Sequence, residues 1–234
     1  MLNRAWMIPV LAALIGITSA LFALWPQLDL LVSGYFFDGT RFPVETNTTI
    51  EALRNLLWDL TIFVALSSIV IRIATTILRD SILGLSTQHW QLIVFTFVMG
   101  PGLLVNGVLK RYWGRARPAD ILQFGGSHNF TPPYQMADQC ASNCSFVSGE
   151  VAATMALTVT MLLILSGLRR RLQPVLFRLG QGVAWALLAL CALQRVAAGR
   201  HFLSDVILAA LFVALIAAIL ARFFLGTSAS QIRR

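Results

Sequence analysis

Charged residues are scarce in this 234-residue chain. Only 12% of its residues are Asp, Glu, Lys or Arg, whereas 57% are hydrophobic. A soluble domain of this length could bury a core, but it would need a polar exterior that so few charges do not supply. Several apolar runs reach about 20 residues, enough to cross a hydrocarbon layer of roughly 30 Å. The composition therefore predicts an all-α, polytopic membrane protein.

Cysteine is also scarce, with three residues in the whole chain. Cys191 lies in an apolar run, where a small buried side chain is expected. Cys140 and Cys144 lie in a polar loop, and either a disulfide or a metal-binding pair would account for them. Structural zinc needs four ligands, and His128 is too isolated to complete such a set. We therefore expect no metal ion and no other cofactor.

Nucleic-acid-binding modules are absent from the sequence, although its formal net charge is +8. The positive residues fall in short clusters between apolar segments. This pattern favours a role in membrane topology and in contact with anionic lipid. The sequence also has no internal repeat, low-complexity tract or separate soluble region, so residues 1–234 are expected to form a single membrane domain.

Six apolar segments have the length of membrane-spanning helices. They cover residues 5–25, 56–78, 90–109, 149–168, 175–193 and 202–225. The first segment has some features of a signal peptide. Its length and the flanking residues Trp6 and Trp25 instead favour a retained helix with interfacial anchors.

The distribution of arginine predicts the orientation in the membrane. Arginines lie on alternate connections and near both ends, at Arg79, 169–171, Arg178, Arg4, Arg233 and Arg234. Because an excess of arginine marks the cytoplasmic side, both termini are predicted to be cytoplasmic. The long connection 110–148 then lies on the outer side, although it carries four positive residues. Phosphate binding would explain positive charge in that position.

His201 and Asp205 are the first candidates for catalysis. They are four residues apart at the start of the last helix, so they share one face of it. A carboxylate there can hold one imidazole nitrogen as N–H and direct the other, unprotonated, at a substrate. The alternative is a His–Asp pair at the membrane interface with no chemical role.

Three cations are predicted to lie at the same end of the helix bundle as His201. Lys110 and Arg117 come from one helix end and Arg195 from another. Fixed donors of this kind stabilise the charge on the oxygens of a phosphoryl group in transfer. Arg115 and Arg200 are second-rank candidates for substrate contact. Snorkelling of these two side chains at the headgroup boundary is the alternative.

Ser148 and Gly149 open the fourth predicted helix. The free backbone N–H groups and the positive dipole end of a helix start suit an anion, and glycine allows close approach. A Ser-Gly pair is by itself most often a helix cap.

Together the three segments resemble the type-2 phosphatidic acid phosphatase (PAP2) superfamily. Its signature is Lys-x6-Arg-Pro, then Ser-Gly-His, then Arg-x5-His-x3-Asp, and it extends here over residues 110–205. The resemblance implies a bundle of six helices and a metal-independent phosphatase in which His201 forms a phosphohistidine and Asp205 orients it. It also implies a set of phosphate-binding residues, which are Lys110, Arg117, Ser148, Gly149 and Arg195.

The sequence departs from the signature at Glu150, where the family has a histidine that protonates the departing alkoxide. A carboxylic acid can take that role if burial keeps it protonated. It could instead orient the water that hydrolyses the phosphohistidine, pair with a nearby cation, or mark a site without activity. We expect Glu150 to be catalytic.

A narrower resemblance indicates the lipid A 4′-phosphatase branch. It rests on Gly-Pro-Gly-Leu-Leu-Val-Asn at 100–106, Tyr-Trp-Gly-Arg at 112–115, Gln-Phe at 123–124, Pro-Pro at 132–133 and Cys-x3-Cys-Ser-Phe-Val at 140–147. That branch also has a carboxylate after the glycine, so Glu150 becomes a feature of the subgroup. The resemblance implies a bacterial inner-membrane enzyme with its active site facing the periplasm.

Other functions stay compatible with these residues. They include hydrolysis of undecaprenyl pyrophosphate or phosphatidylglycerol phosphate, phosphotransfer between lipids, and silent lipid binding, against which the intact His201–Asp205 pair argues. In each case the partner is a membrane lipid phosphate that enters sideways between helices, so a soluble ester is expected to be a poor substrate. The oligomeric state is left open.

Overall fold

The computed structural model describes residues 6–226, which form seven α-helices joined by turns and short 3₁₀ segments. The helices are α1 Met7–Leu24, α2 Gln27–Tyr35, α3 Thr48–Leu78, α4 Thr87–Tyr112, α5 Gly149–Gly167, α6 Pro174–Ala197 and α7 Leu203–Gly226. All except α2 are long and apolar enough to span a membrane. The predicted all-α fold with six spans is confirmed. Arg4, Arg233 and Arg234 lie outside the described residues.

The sequence did not predict α2, because its nine residues are too short for a span. Pro26 precedes it, and Asp29 lies in its first turn, where a negative charge suits the helix dipole. Both Asp29 and Ser33 are fully buried. The helix therefore carries polar side chains into the interior, toward the start of α7.

Three spanning helices, α3, α4 and α6, are longer than predicted, and the added turns carry charge. Helix α3 begins at Thr48 because the side chain of Asn47 caps it, accepting a hydrogen bond from Ile50 N at 3.1 Å. Its first turns add Glu51 and Arg54, whereas the predicted span begins at residue 56. Helix α6 continues to Ala197, beyond the predicted end at residue 193. These extensions place polar residues at one end of the bundle.

Helix α4 changes its winding where it contains proline. Residues Val98–Leu109 have π-helical geometry, and Pro101 lies near the start of this segment. Proline supplies no N–H to the helical ladder, and wider turns accommodate the gap. The Asn106 side chain donates a hydrogen bond to Pro101 O at 2.7 Å. The altered winding determines where the end of α4 presents Lys110.

Helix α5 lies at the centre of the bundle. Its small buried residues Ala152 and Ala156 allow neighbouring helices to approach closely. The buried hydroxyls of Thr154, Thr158 and Thr160 donate to carbonyls four residues earlier, and those of Thr154 and Thr158 also contact α6 at Cys191 Sγ and Ala184 O. Helices α1, α3 and α6 instead expose large apolar side chains, as a lipid-facing surface requires.

The connection between α4 and α5 folds over the end of the bundle. A second apolar cluster there consists of Phe42, Ala116, Ile121, Phe124 and Phe202. Gly199 has a positive φ of 64°, and the ring of Phe42 occupies the space that a Cβ atom would need. This glycine therefore permits the tight turn from α6 to α7 that carries His201.

Candidate active site

The ends of the helices surround a polar cavity of ≈ 340 Å³. Its lining residues are Arg54, Trp58, Asn106, Lys110, Arg117, Asn143, Gly149, Glu150, Arg195, Arg200 and His201. Five of them are cations, and they come from α3, α4, α6 and the connections beside them. The structure thus brings together most of the predicted site residues, and it adds Arg54, Trp58, Asn106 and Asn143.

His201 lies in the turn before α7 with its Nδ1 atom 2.8 Å from the carbonyl oxygen of Ser145. A carbonyl only accepts, so this bond places the proton on Nδ1 and leaves the Nε2 lone pair for the cavity. The Asp205 Oδ2 atom is 4.0 Å from Nδ1, too far for a hydrogen bond. The expected direct His–Asp contact is therefore replaced by a bond to the backbone of Ser145.

Asp205 acts on His201 through Ser145. Its Oδ2 atom accepts a hydrogen bond from Ser145 Oγ at 2.5 Å and from Phe202 N at 3.0 Å. The second bond caps α7, because it pairs a carboxylate in the first turn with the N–H that precedes the helix. Asp205 is fully buried and does not line the cavity. It fixes the backbone carbonyl that in turn fixes His201.

Arg115 does not contact the cavity, contrary to the expectation of a substrate contact. Its guanidinium is completely buried, 2.8 Å from Asp29 Oδ2 and 2.6 Å from Asp205 Oδ1. It also donates to Ser204 Oγ and Thr131 O, and it lies 4.2 Å from the centroid of the Phe202 ring. A buried guanidinium needs such partners, since desolvation otherwise makes its charge costly. Arg115 therefore holds the base of the site together.

Burial lowers the pKa of His201 well below its usual range, and the nearby cations Lys110 and Arg117 lower it further. The hydrogen bond to the Ser145 carbonyl opposes this shift. A histidine with a lowered pKa is neutral above that pKa and gains a proton only when the pH falls through it. The imidazole of His201 is therefore neutral at neutral pH.

This protonation state predicts the behaviour of His201 in a pH titration followed by ¹⁵N NMR of histidine-labelled protein. The signal that disappears in His201→Ala protein should keep the neutral Nδ1–H pattern well below pH 6.5, the ordinary midpoint for histidine. The chain has three histidines, so the assignment needs only a few variants. A midpoint near 6.5 for this signal would contradict the buried, cation-flanked geometry.

Asn143 links the two cations that begin the signature. Its Oδ1 atom accepts a hydrogen bond from Lys110 Nζ at 2.8 Å, and its backbone oxygen accepts one from Arg117 at 2.8 Å. Asn143 has a positive φ of 52°. The structure joins Cys140 and Cys144 by a disulfide on either side of it. The disulfide thus closes the loop that orients Lys110 and Arg117.

Reduction of this disulfide is therefore expected to lower kcat/KM by about tenfold, because the bonds to two charged side chains lose their fixed acceptor. Phosphate release would be measured before and after dithiothreitol. The double variant Cys140→Ser/Cys144→Ser should show the same loss and no response to dithiothreitol. Equal activity of the oxidised and reduced proteins would show that the loop orients neither cation.

Glu150 begins α5 and is paired with two arginines. Its Oε1 atom is 3.0 Å from Arg195 and 3.4 Å from Arg54, and Arg54 also pairs with Glu51 at 2.8 Å. Arg54 lies in the part of α3 that precedes its apolar run. Because the predicted span begins at residue 56, the sequence did not indicate that Arg54 belongs to the site.

Of the remaining predicted site residues, some line the cavity and others stabilise the helices around it. Gly149 lines the cavity, and a Cβ atom there would lie 3.0 Å from Asn106 Oδ1 and 3.6 Å from the Lys110 side chain. Ser148 is buried and caps α5 by accepting from Val151 N at 3.4 Å. Arg200 lines the cavity and pairs with Glu45 at 3.4 Å. Within residues 6–226, no three His, Cys, Asp or Glu side chains form a group suited to a metal ion.

Comparison with known proteins places this site in a family. The model of the PAP2 superfamily matches residues 91–228. A lipid A 4′-phosphatase of Rhizobium leguminosarum is 31% identical over 203 residues, which cover 81% of this chain and 84% of that protein. A lipid A 4′-phosphatase of Francisella tularensis subsp. novicida is 32% identical over 197 residues, with coverage of 82% and 84%.

A solved structure shares the fold. The transmembrane PAP2-type phosphatidylglycerolphosphate phosphatase of Bacillus subtilis superposes with a TM-score of 0.59 over 93% of this chain and 96% of that one, at 18% identity. The likeness at this identity concerns the arrangement of the helices. The chain therefore belongs to the PAP2 superfamily, as a multi-pass membrane lipid phosphatase.

Proposed function

We propose that this protein removes the 4′-phosphate of lipid A through a phosphohistidine at His201. The likeness to lipid A 4′-phosphatases over about four fifths of the chain supports the substrate. The observation that carries the mechanism is the Nδ1 bond of His201, which leaves Nε2 free beside a cavity lined by cations. A neutral, oriented imidazole facing anion-binding groups suits nucleophilic attack on phosphorus.

The proposed reaction has two displacements at phosphorus. The Nε2 lone pair attacks phosphorus as the bond to the lipid oxygen breaks, and water then breaks the new P–N bond and releases inorganic phosphate. Lys110, Arg117 and Arg195 bind the phosphoryl oxygens in both steps, helped by the backbone at Gly149. Ser148 supports this role by capping the start of α5. Over the cycle, one proton of the water is transferred to the lipid oxygen.

We assign the transfer of that proton to Glu150. Glu150 lines the cavity beside Arg195. In its protonated form it gives a proton to the departing lipid oxygen in the first displacement, and in the second displacement the carboxylate takes a proton from the attacking water and so returns to the protonated form. The ion pairs of the carboxylate form with Arg54 and Arg195 keep these two guanidinium groups in place. The role that the family gives to histidine is thus proposed for a carboxylate.

A lipid substrate suits the surroundings of the cavity. A mostly apolar groove of ≈ 410 Å³ lies between α3 and α6, lined by residues such as Leu53, Leu57 and Leu187. The groove and the polar cavity share Arg54 and Glu150. A phosphate in the cavity can therefore belong to a molecule whose chains occupy the groove and the surrounding membrane, which makes a soluble ester a poor substrate.

The active site is proposed to face the periplasm. Helix α5 begins at the cavity, so the arginines at 169–171, just after its end, lie at the opposite end of the bundle. An excess of arginine marks the cytoplasmic side. The disulfide beside the cavity also suits an oxidising compartment.

The assignment predicts a pattern of phosphate release by detergent-purified protein in the presence of EDTA. Lipid A should be hydrolysed faster than undecaprenyl pyrophosphate or phosphatidylglycerol phosphate. Glu150→Gln should lower kcat on lipid A by roughly 10²- to 10⁴-fold, because the amide does not transfer the proton. A preference for another of these lipids would overturn the substrate, and full activity of Glu150→Gln would overturn the role of Glu150.

A further inference from the structure

Two buried N–H groups lack a partner where the polar cavity meets the apolar groove. Among residues 6–226, Arg54 Nε and Gln194 Nε2 are buried nitrogens without a hydrogen-bond acceptor. Both residues line the groove between α3 and α6. Buried donors are nearly always paired in folded proteins, because an unpaired one loses its hydration without compensation. Two such donors on the same groove indicate a ligand that supplies the acceptor.

The orientation of Gln194 is fixed by its neighbour. Its Oε1 atom accepts a hydrogen bond from Arg195 Nε at 2.5 Å. The amide oxygen therefore faces the arginine, and the NH₂ group points away from it. Gln194 does not line the polar cavity, so its free donor belongs to the groove.

Arg54 spans the boundary between the two spaces. Its terminal nitrogens pair with Glu150 at 3.4 Å and Glu51 at 2.8 Å. These two carboxylates occupy the end of the guanidinium and leave Nε on the stem side. The terminal nitrogens of Arg54 thus face carboxylates, whereas its buried Nε has no acceptor.

We propose that Arg54 Nε and Gln194 Nε2 bind the carbonyl oxygen of an acyl ester or amide in the substrate. The inference rests on the proposed function, since it concerns the part of the lipid next to the phosphate. A phosphate would occupy the cavity with Lys110, Arg117 and Arg195, whereas these two donors adjoin apolar surface. A neutral acceptor attached to a hydrocarbon chain, which is an acyl carbonyl, matches both the donors and the groove.

The test compares two synthetic lipids that differ only at this group. Diacylglycerol phosphate has ester carbonyls, and dialkylglycerol phosphate with the same chains has ether oxygens in their place. Binding would be measured in detergent by titration of His201→Ala protein, which leaves both lipids intact. The ester lipid should bind about tenfold tighter than the ether lipid, and equal affinities would overturn the proposal.

A variant tests the contribution of the Gln194 donor to this preference. Gln194→Glu keeps an acceptor for Arg195 Nε but removes the NH₂ donor, so the ester-to-ether ratio should fall from about ten toward one. Any effect of the added charge on phosphate binding changes both affinities alike and cancels in the ratio. Gln123→Leu, at an exposed loop position, is the matched control and should keep the ratio. An unchanged ratio in Gln194→Glu would overturn the assignment.

A third lipid separates this inference from the proposed function. Diacylglycerol has the carbonyls but lacks the phosphate. If it binds as tightly as diacylglycerol phosphate, the cavity does not bind phosphate and the proposed function fails, whatever the ester-to-ether ratio. If it binds more weakly while the ratio is one, the phosphate site stands and only the carbonyl site fails.

Discussion

Replacing His201 by alanine is expected to lower kcat/KM for phosphate release by roughly 10⁴-fold or more, since the residue supplies the attacking atom. The loss should be the same for every phosphate ester the protein accepts. The cations of the cavity would remain, so the affinity for lipid phosphate should change much less than the rate. The measurement is single-turnover release of phosphate from lipid A over a range of protein concentrations, which gives the rate constant and the affinity separately.

The matched control for this variant is His128→Ala. The side chain of His128 is exposed in the connection between α4 and α5 and does not line the cavity. His128→Ala should retain the activity of the unaltered protein, and both variants should unfold at similar temperatures. Substantial activity in folded His201→Ala protein would mean that another group, or water directly, attacks phosphorus.

Replacing Arg115 by methionine is expected to destabilise the protein by about 3–5 kcal/mol, the cost typical of breaking a buried ion pair. The substitution leaves the carboxylates of Asp29 and Asp205 buried without their common cation. Both are completely buried, so neither regains contact with water. The effect would be measured as the free energy of unfolding in mixed micelles of increasing SDS content.

Two further variants test the cause of that loss. Arg111→Met, at an exposed position four residues earlier, should leave the unfolding free energy unchanged to within a few tenths of a kcal/mol. Combining Arg115→Met with Asp29→Asn removes one of the stranded charges, so the double variant should be less destabilised than the sum of the two single variants. Additive losses, or a stable Arg115→Met protein, would contradict a shared buried network.

The membrane-spanning helices could be predicted from the sequence, because the bilayer directly determines the hydropathy and the length that such helices need. The sequence also predicted that Lys110, Arg195 and His201 lie close together, because the alternating direction of the spans places these residues on the same side of the membrane. Helix α2 was missed because it is short and polar. With it the sequence missed Asp29, which is 86 residues from its partner Arg115.

The roles of individual polar residues depended on contacts that spacing does not encode. The spacing of four residues predicted that the Asp205 carboxylate accepts a hydrogen bond from His201. In the structure His201 lies in the turn before α7, and its Nδ1 atom is hydrogen-bonded to the carbonyl oxygen of Ser145 instead. Arg115 looked like a cation for the substrate because it lies in the basic signature. Its burial became evident only with the tertiary structure, which places two carboxylates beside it.

The central claim is the covalent intermediate, and trapping it is the most direct test. The unaltered protein would be mixed with an excess of lipid A carrying ³²P in its 4′-phosphate and denatured in alkaline SDS within milliseconds. A phosphohistidine mechanism predicts label on His201 that resists alkali, is lost in mild acid, and is absent from His201→Ala protein. Label that alkali removes, as from a carboxylate, or release of phosphate without any labelled protein, would contradict it.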